Sequence, residues 1–204
     1  MFAKFLMLII GSYLIGSIPF SFLVAKILKK IDIRRVGSGN PGATNVYRTC
    51  GFKIGMFAFF MDALKGFLAV YGLVTLLKFS VEIISIVQII AFITVVAGHN
   101  WTVFLRFKGG KGMATSAGAL IAIDWRVCLI LFLIWCLCLV LTRYVSFSSI
   151  ISATILPVMF WLYKLPLATI IFGFFIGGLA IYRHKNNIKR LLKGEESKIY
   201  EKKK

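Results

Sequence analysis

Apolar stretches of membrane length, set apart by short polar breaks, leave this chain few folds to choose from. Residues 5–25, 54–77, 83–105, 145–163 and 165–182 each approach the ~20 residues that a helix needs to cross a bilayer. Two shorter stretches, 113–123 and 127–141, flank Asp124-Trp-Arg126. In hydrocarbon, backbone N–H and C=O groups must pair within their own segment, so such stretches are helices. The chain is 59% hydrophobic with a mean hydropathy of +0.88, far from a soluble domain of 204 residues. The expected fold is an all-α integral membrane protein of about seven transmembrane helices, with residues 1–204 forming a single polytopic membrane domain.

Charge sets the expected orientation. The formal net charge is +18, and the basic residues are clustered. With seven crossings and the N-terminus outside, most of the 25 lysines and arginines fall on the cytoplasmic side. Only Lys4, Lys78, Arg126 and Lys164 lie outside, with Lys65 inside a span. If 113–123 did not cross, the basic tail from Arg183 to Lys204 would be exported, against the positive-inside tendency. The C-terminus is therefore expected in the cytoplasm, together with loops 26–53 and 106–112 and the tail 183–204. Basic loops beside an anionic leaflet explain most of this charge, and nucleic acid is not an expected partner. Lys4 and the apolar run after it faintly resemble a signal peptide but lack a small-x-small cleavage site, so 5–25 reads as the first span. Cys50, Cys128, Cys136 and Cys138 form no C-x-x-C pair, which leaves no zinc or redox motif. No metal and no cofactor is expected.

Three islands of glycine, asparagine and cations interrupt the apolar material. They are Gly37-Ser-Gly-Asn-Pro-Gly-Ala-Thr-Asn-Val-Tyr-Arg48, Phe107-Lys-Gly-Gly-Lys-Gly112 and His184-Lys-Asn-Asn-Ile-Lys-Arg190. Residues 37–42 satisfy G-x-G-x-x-G with Asp62 about twenty residues on, but the strand–turn–helix context of a dinucleotide site is missing. Asn40 reads instead as an N-cap and Pro41 as a first helical residue. Such a helix start offers N–H groups to an anion, with Thr44 and Arg48 on one face. The second island resembles the end of a Walker A loop, yet Gly112 replaces the hydroxyl residue that would hold magnesium. What remains is a turn with Lys108 and Lys111 beside bare backbone N–H groups, again suited to phosphate. In the third island His184 and Asn187 are three apart on the continuation of the last span. Ile188, Leu191 and Leu192 give it an apolar stripe for the membrane surface. Glu195 is placed to orient a cation. His99 reads as a structural histidine, and Asp62 with Lys65 as a mutually neutralising pair. Gly173-x-x-x-Gly177 reads as a helix-packing site within the bundle, with dimerisation as the alternative.

Together the islands carry a resemblance. Ser-Gly-Asn-x-Gly-Ala-Thr-Asn-x-x-Arg, then Gly-His…Phe-Lys-Gly-Gly-Lys-Gly, then His-x-x-Asn-Ile-x-Arg-Leu-x-x-Gly-x-Glu resembles the bacterial acyl-phosphate:glycerol-3-phosphate acyltransferases. Gly16-Ser-Ile-Pro19 and Asp62-x-x-Lys-Gly66 are similar to that family too, over essentially the whole chain. Thr102 departs from it, standing where the family usually has proline, which bears on the local loop shape. The resemblance implies a seven-helix enzyme of the bacterial cytoplasmic membrane. It would move a fatty acyl group from acyl phosphate to the 1-hydroxyl of glycerol 3-phosphate, giving 1-acyl-glycerol 3-phosphate and phosphate. It implies that Ser38, Asn40, Lys111 and His184 are catalytic. Ser38, Asn40 and Thr44 would meet the acyl phosphate and its carbonyl, while Arg48 and Lys111 hold phosphate. His184 and Asn187 would orient glycerol 3-phosphate, with Lys108 and Arg190 as further contacts. Gly39, Gly42, Gly109, Gly110 and Gly112 would let the backbone approach its ligands. Expected partners are the two substrates, membrane lipid and a soluble enzyme that produces acyl phosphate.

The chemistry of the residues fits. The sequence lacks the His-x-x-x-x-Asp of acyl-CoA-dependent glycerolipid acyltransferases: five residues after His99 stands Phe104, and five after His184 stands Lys189. An acyl phosphate is already activated, so positioning and electrostatics can supply most of the rate. The expectation is direct transfer, with a Ser38–His184 acyl-enzyme as the mechanistic rival. A transporter or flippase for organic phosphates is the alternative of a different class. Such proteins place their sites near the midplane, often in repeated halves, whereas these islands lie at one surface.

Overall fold

The computed structural model describes residues 1–199; residues 200–204, the end of the basic tail, lie outside the described residues. Those described form helices and turns without a strand. Five helical stretches are long and apolar enough to cross a membrane, Phe2–Lys29, Phe52–Leu76, Val81–Leu105, Met113–Thr142 and Val145–Leu162. A sixth is reached if Leu167–Arg183 and Lys185–Leu192, bent by 59° at their junction, count as one span. The chain divides into two compact units, Met1–Ile123 and the remainder from Asp124.

The first unit departs from the expected plain span at once. Residues 5–25 are covered by two helices, α1 (Phe2–Ser17) and α2 (Phe20–Lys29), broken at Ile18-Pro19. Pro19 has no N–H to donate, so helical pairing fails there and carbonyls are released inside an apolar bundle. Side chains from elsewhere take them up. Lys65 Nζ donates to Ile18 O at 2.7 Å, and Thr102 Oγ1 donates to Ser17 O at 2.5 Å. Lys65 sits on α4 (Phe52–Phe67), which continues through a π-helical segment, Leu68–Leu73, into the short α5 (Val74–Leu76).

Glycines bring the helices of this unit close together. On α6 (Ile84–Asn100), Gly98 abuts the backbone of Tyr13 and Gly16, while Gly16 abuts Val95. Gly66 of α4 lies against Thr115, and Gly118 against Ala63, joining α4 to the start of α7 (Met113–Thr142). A Cβ at these four positions would enter neighbouring backbone, so small residues here let helices meet without a hydrophobic drive between them. The short α3 (Ala43–Cys50) is seated on α4 and α2 through Val24, Ala25, Ile33, Val46 and Ala58. Gly51, at φ +93°, makes the sharp turn from α3 into α4.

The two short stretches around residue 124 appear as α7, interrupted where Asp124 leaves helical geometry at φ −155° and ψ 105°. The sequence supplies the reason. Asp124 accepts from the N–H of Arg126 at 2.9 Å and of Val127 at 3.3 Å, as an N-cap does, and pairs with the Arg126 guanidinium at 2.7 Å. Residues 113–123 belong to the first unit and the rest of α7 to the second.

In the second unit, α8 (Val145–Leu162) packs on α9 (Leu167–Arg183). Gly173 lies against Pro157 and Phe160, and Gly177 against Ala153, so this pair packs within the bundle as read from its spacing. The last span does not continue straight through the third island: it bends by 59° at His184 into α10 (Lys185–Leu192).

Candidate active site

The first island is a loop wound around one buried asparagine. Asn45, 1% exposed, donates from Nδ2 to Ile33 O at 2.8 Å and Val36 O at 3.0 Å, and its Oδ1 accepts from Ser38 N at 3.0 Å. An asparagine amide can serve both donors and acceptors in such a loop at once. Gly37, at φ +61°, lies so close that a Cβ there would overlap Asn45 Oδ1. Ahead of this, Asp32 grips Arg34 through Nε at 2.9 Å and Nη2 at 2.7 Å. The Arg34 guanidinium holds the Asp32 carboxyl well below the usual carboxylate range. Ser38 is exposed, and its Oγ accepts from Asn40 N at 3.4 Å. Asn45 has no place among the site residues expected from sequence; its position inside the Ala-Thr-Asn run of the island is the one signal for it.

The helix of this island starts later than expected. Gly42, not Asn40, is the N-cap, with extended backbone at φ −126° and ψ 162°. Asn45 N and Val46 N both donate to Gly42 O, so the first turn closes on Gly42 and Pro41 stays outside the helix. Thr44 and Arg48 then fall on one face of α3, as their spacing predicts. Both are half-buried.

The second island is folded back onto the end of α6. Gly109 N donates to Asn100 O and Gly110 N to His99 O, each at 3.2 Å. These N–H groups are therefore occupied by the helix, which corrects the expectation of bare N–H groups at 109 and 110. The glycines serve this contact too. A Cβ at 109 would overlap His99 O, and one at 110 would overlap His99 Nε2. Gly112, at φ +83°, caps α7, with Ser116 N donating to its carbonyl at 2.7 Å. The N–H groups that the fold leaves for an anion are those of the first turn of α7, entered directly from half-buried Lys111. Lys108 is exposed. Thr102 fits its unusual position: its φ of −66° is the value a proline would hold, and its hydroxyl also accepts from Phe104 N at 3.2 Å.

These two islands meet. A small solvent-open cleft, with room for about one water molecule, is walled by Gly16, Pro19, Pro41, Lys65, His99 and Gly110, among others. Lys65 and Asp62 form the expected pair, 2.8 Å apart and each 2% exposed in its side chain. Yet Lys65 and His99 also wall the cleft, a placement that their reading as purely structural residues misses.

The third island lies in the second unit. His184, 3% exposed, donates from Nδ1 to Ala180 O at 2.8 Å. Around Asn187 the organiser is Glu196, not Glu195. Glu196 Oε1 accepts from Asn187 Nδ2 at 2.6 Å and Ser146 Oγ at 2.8 Å, and Oε2 accepts from Arg190 Nε at 2.7 Å. Burial pushes this carboxyl up, but the three donors outweigh it and hold its pKa below the ordinary glutamate value. Stability from Glu196 is then present above its unfolded pKa of about 4.3 and lost as pH falls through the lower folded value. Glu196→Gln is expected to make the segment after α10 protease-sensitive at neutral pH, as acid does to the wild type; equal cleavage of both at pH 7 would contradict this.

Among the described residues no group of three His, Cys, Asp or Glu side chains is placed to hold a metal ion.

Comparison with known proteins places this geometry. Residues 6–194 match the family model described as glycerol-3-phosphate acyltransferase. The glycerol-3-phosphate acyltransferase of Desulforamulus reducens is 46% identical over 197 residues, covering 97% of this chain and 96% of the relative. That of Aquifex aeolicus is 44% identical, covering 96% of this chain and 100% of the relative. Two crystal structures of PlsY (YgiH), an integral membrane glycerol 3-phosphate acyltransferase, are similar over 95% of this chain and 94% of theirs. The glycerol 3-phosphate form has a TM-score of 0.88 at 42% identity, and the lysophosphatidic acid form 0.86 at 41%. The chain is a multi-pass membrane protein and belongs to the glycerol-3-phosphate acyltransferase family.

Proposed function

We propose that this acyltransferase moves a fatty acyl group from an acyl phosphate to the 1-hydroxyl of glycerol 3-phosphate, releasing phosphate, at the cytoplasmic face of a bacterial inner membrane. The observation that carries this reading is the single cleft shared by Pro41 of the first island and Gly109-Gly110 of the second. Two substrates that both bear phosphate need two anion sites: the first turn of α7 beside Lys111 is one, and the loop leading into α3, with Arg48 from the last turn of that helix, is the other. Seven crossings, with α7 crossing twice about its break at Asp124, would put segments 26–53, 106–112 and 183–204 all on the cytoplasmic side. The family leaves no reason to keep transport as a rival.

In this reading Ser38, Asn40 and Thr44, with the backbone at Gly39 and Gly42, address the donor's phosphate and carbonyl. Lys111, with Lys108 and the Gly109–Gly112 turn, takes the acceptor's phosphate. His184 and Asn187 orient the glycerol, and Arg190 acts with Glu196 to hold Asn187. The acceptor hydroxyl attacks the acyl carbon, the carbonyl–phosphate bond breaks, and the hydroxyl proton leaves with the departing phosphate. No covalent enzyme intermediate is needed, because phosphate is already a good leaving group and orientation supplies the remaining rate.

The test is an assay of purified protein. It is expected to acylate glycerol 3-phosphate from acyl phosphate and not from acyl-CoA, without an acyl adduct on Ser38. Activity with acyl-CoA alone would overturn the donor, and a trapped Ser38 ester would replace direct transfer by the acyl-enzyme route. Co-purification with a soluble acyl-phosphate-producing enzyme tests the partner.

A further inference from the structure

Neutralising Asp62 does not require His99. The Asp62 carboxylate already has Lys65 Nζ at 2.8 Å and Ser21 Oγ at 2.5 Å. His99 is nevertheless brought in as a third group, its Nδ1 lying 3.6 Å from Asp62 Oδ1 and 3.1 Å from Thr115 Oγ1. Burying one more polar ring inside an apolar bundle is costly, so a role beyond charge balance is called for. One edge of the ring is thus fixed by α4 and α7.

The opposite edge faces the second island. Nε2 occupies the space that a side chain at 110 would take, and the backbone of His99 accepts the Gly110 N–H. Lys111 is the next residue, and α7 starts at Met113. Any tilt of the ring therefore moves Gly110 and, through one peptide, Lys111 and the mouth of α7.

We propose that His99, held by Asp62 and Thr115, is a positioning residue that sets the height of the Gly109–Gly112 turn for the acceptor's phosphate. The inference rests on the reading given under Proposed function. It differs from two other roles for a buried histidine. A general base would be lost in kcat, and a mere packing residue would be lost in the amount of folded enzyme. A positioning residue is lost in the KM of one substrate.

Asparagine and glutamine separate the two edges of the ring. Asparagine keeps a polar atom near Nδ1 but leaves the space beside Gly110 empty, whereas glutamine reaches toward the Nε2 position. His99→Asn is expected to raise the KM for glycerol 3-phosphate about tenfold, with kcat and the acyl-phosphate KM within about threefold of wild type. His99→Gln should recover most of that loss. Thr115→Val, which frees the ring while introducing no charge, should raise the same KM about threefold. Circular dichroism and size-exclusion profiles of the purified variants give the folded fraction. An unchanged glycerol 3-phosphate KM in folded Thr115→Val, a fall in kcat alone, or a joint rise of both KM values would overturn the role of His99. A wild type that does not use acyl phosphate and glycerol 3-phosphate would instead overturn the proposed function, and this role with it.

Discussion

Lys65→Ala is expected to yield little folded protein. The ammonium sits 2.8 Å from Asp62 and donates to Ile18 O at 2.7 Å, with the side chain 2% exposed. Alanine would strand a buried carboxylate and leave Ile18 O with only its bond from Phe20 N at 3.0 Å. Breaking a buried ion pair from one side costs about 3–5 kcal/mol, and losing the ammonium's hydrogen bond to Ile18 O about 1.5–3 kcal/mol more. Together these match the lower part of the margin of about 5–15 kcal/mol on which a typical domain stands. The control is Lys65→Met with Asp62→Asn, which removes both charges and should restore much of the folded yield. Thermal unfolding of detergent-solubilised protein reads both. A Lys65→Ala protein as stable as wild type would mean that the pair is hydrated and the α1–α2 break is stabilised otherwise.

Lys111→Ala should leave the fold intact and remove activity. Its backbone follows the two anchored glycines, and the residue leads directly into Gly112 and the first turn of α7. Lysine and helix start would then act on the same phosphate, and positioned cations of this kind are worth about 10²–10³ in rate. Lys108→Ala, at an exposed position outside the anchored pair, should cost about tenfold or less. Steady-state kinetics on both variants test the contrast. Equal losses would place the phosphate on the outside of the turn, and a fully active Lys111→Ala would remove the second island from the site.

Particular residues show how far the sequence could be read. The island order was enough for the family, because glycines, asparagines and cations stand out against an apolar background. The Asp62–Lys65 pair and the Gly173–Gly177 packing site were legible for the same reason: helical spacing fixes which residues share a face. Asn40 misled, because capping propensity is local while the helix start was decided by which carbonyl Asn45 N and Val46 N could reach. Glu195 misled likewise, since the choice between adjacent glutamates depends on where Ser146, Asn187 and Arg190 converge.

The sequence by itself determined the membrane class, the family and the three phosphate-suited islands, since hydropathy, helical spacing and residue type are properties of neighbours along the chain. Only the tertiary structure decided what those islands are made of. It put Gly109 and Gly110 against His99, and Lys65 and Thr102 onto the carbonyls of a broken helix. It also closed one cleft with Pro41 on one side and Gly110 on another. Backbone groups in an apolar interior must find partners, and those partners come from residues distant in sequence, where no local pattern points.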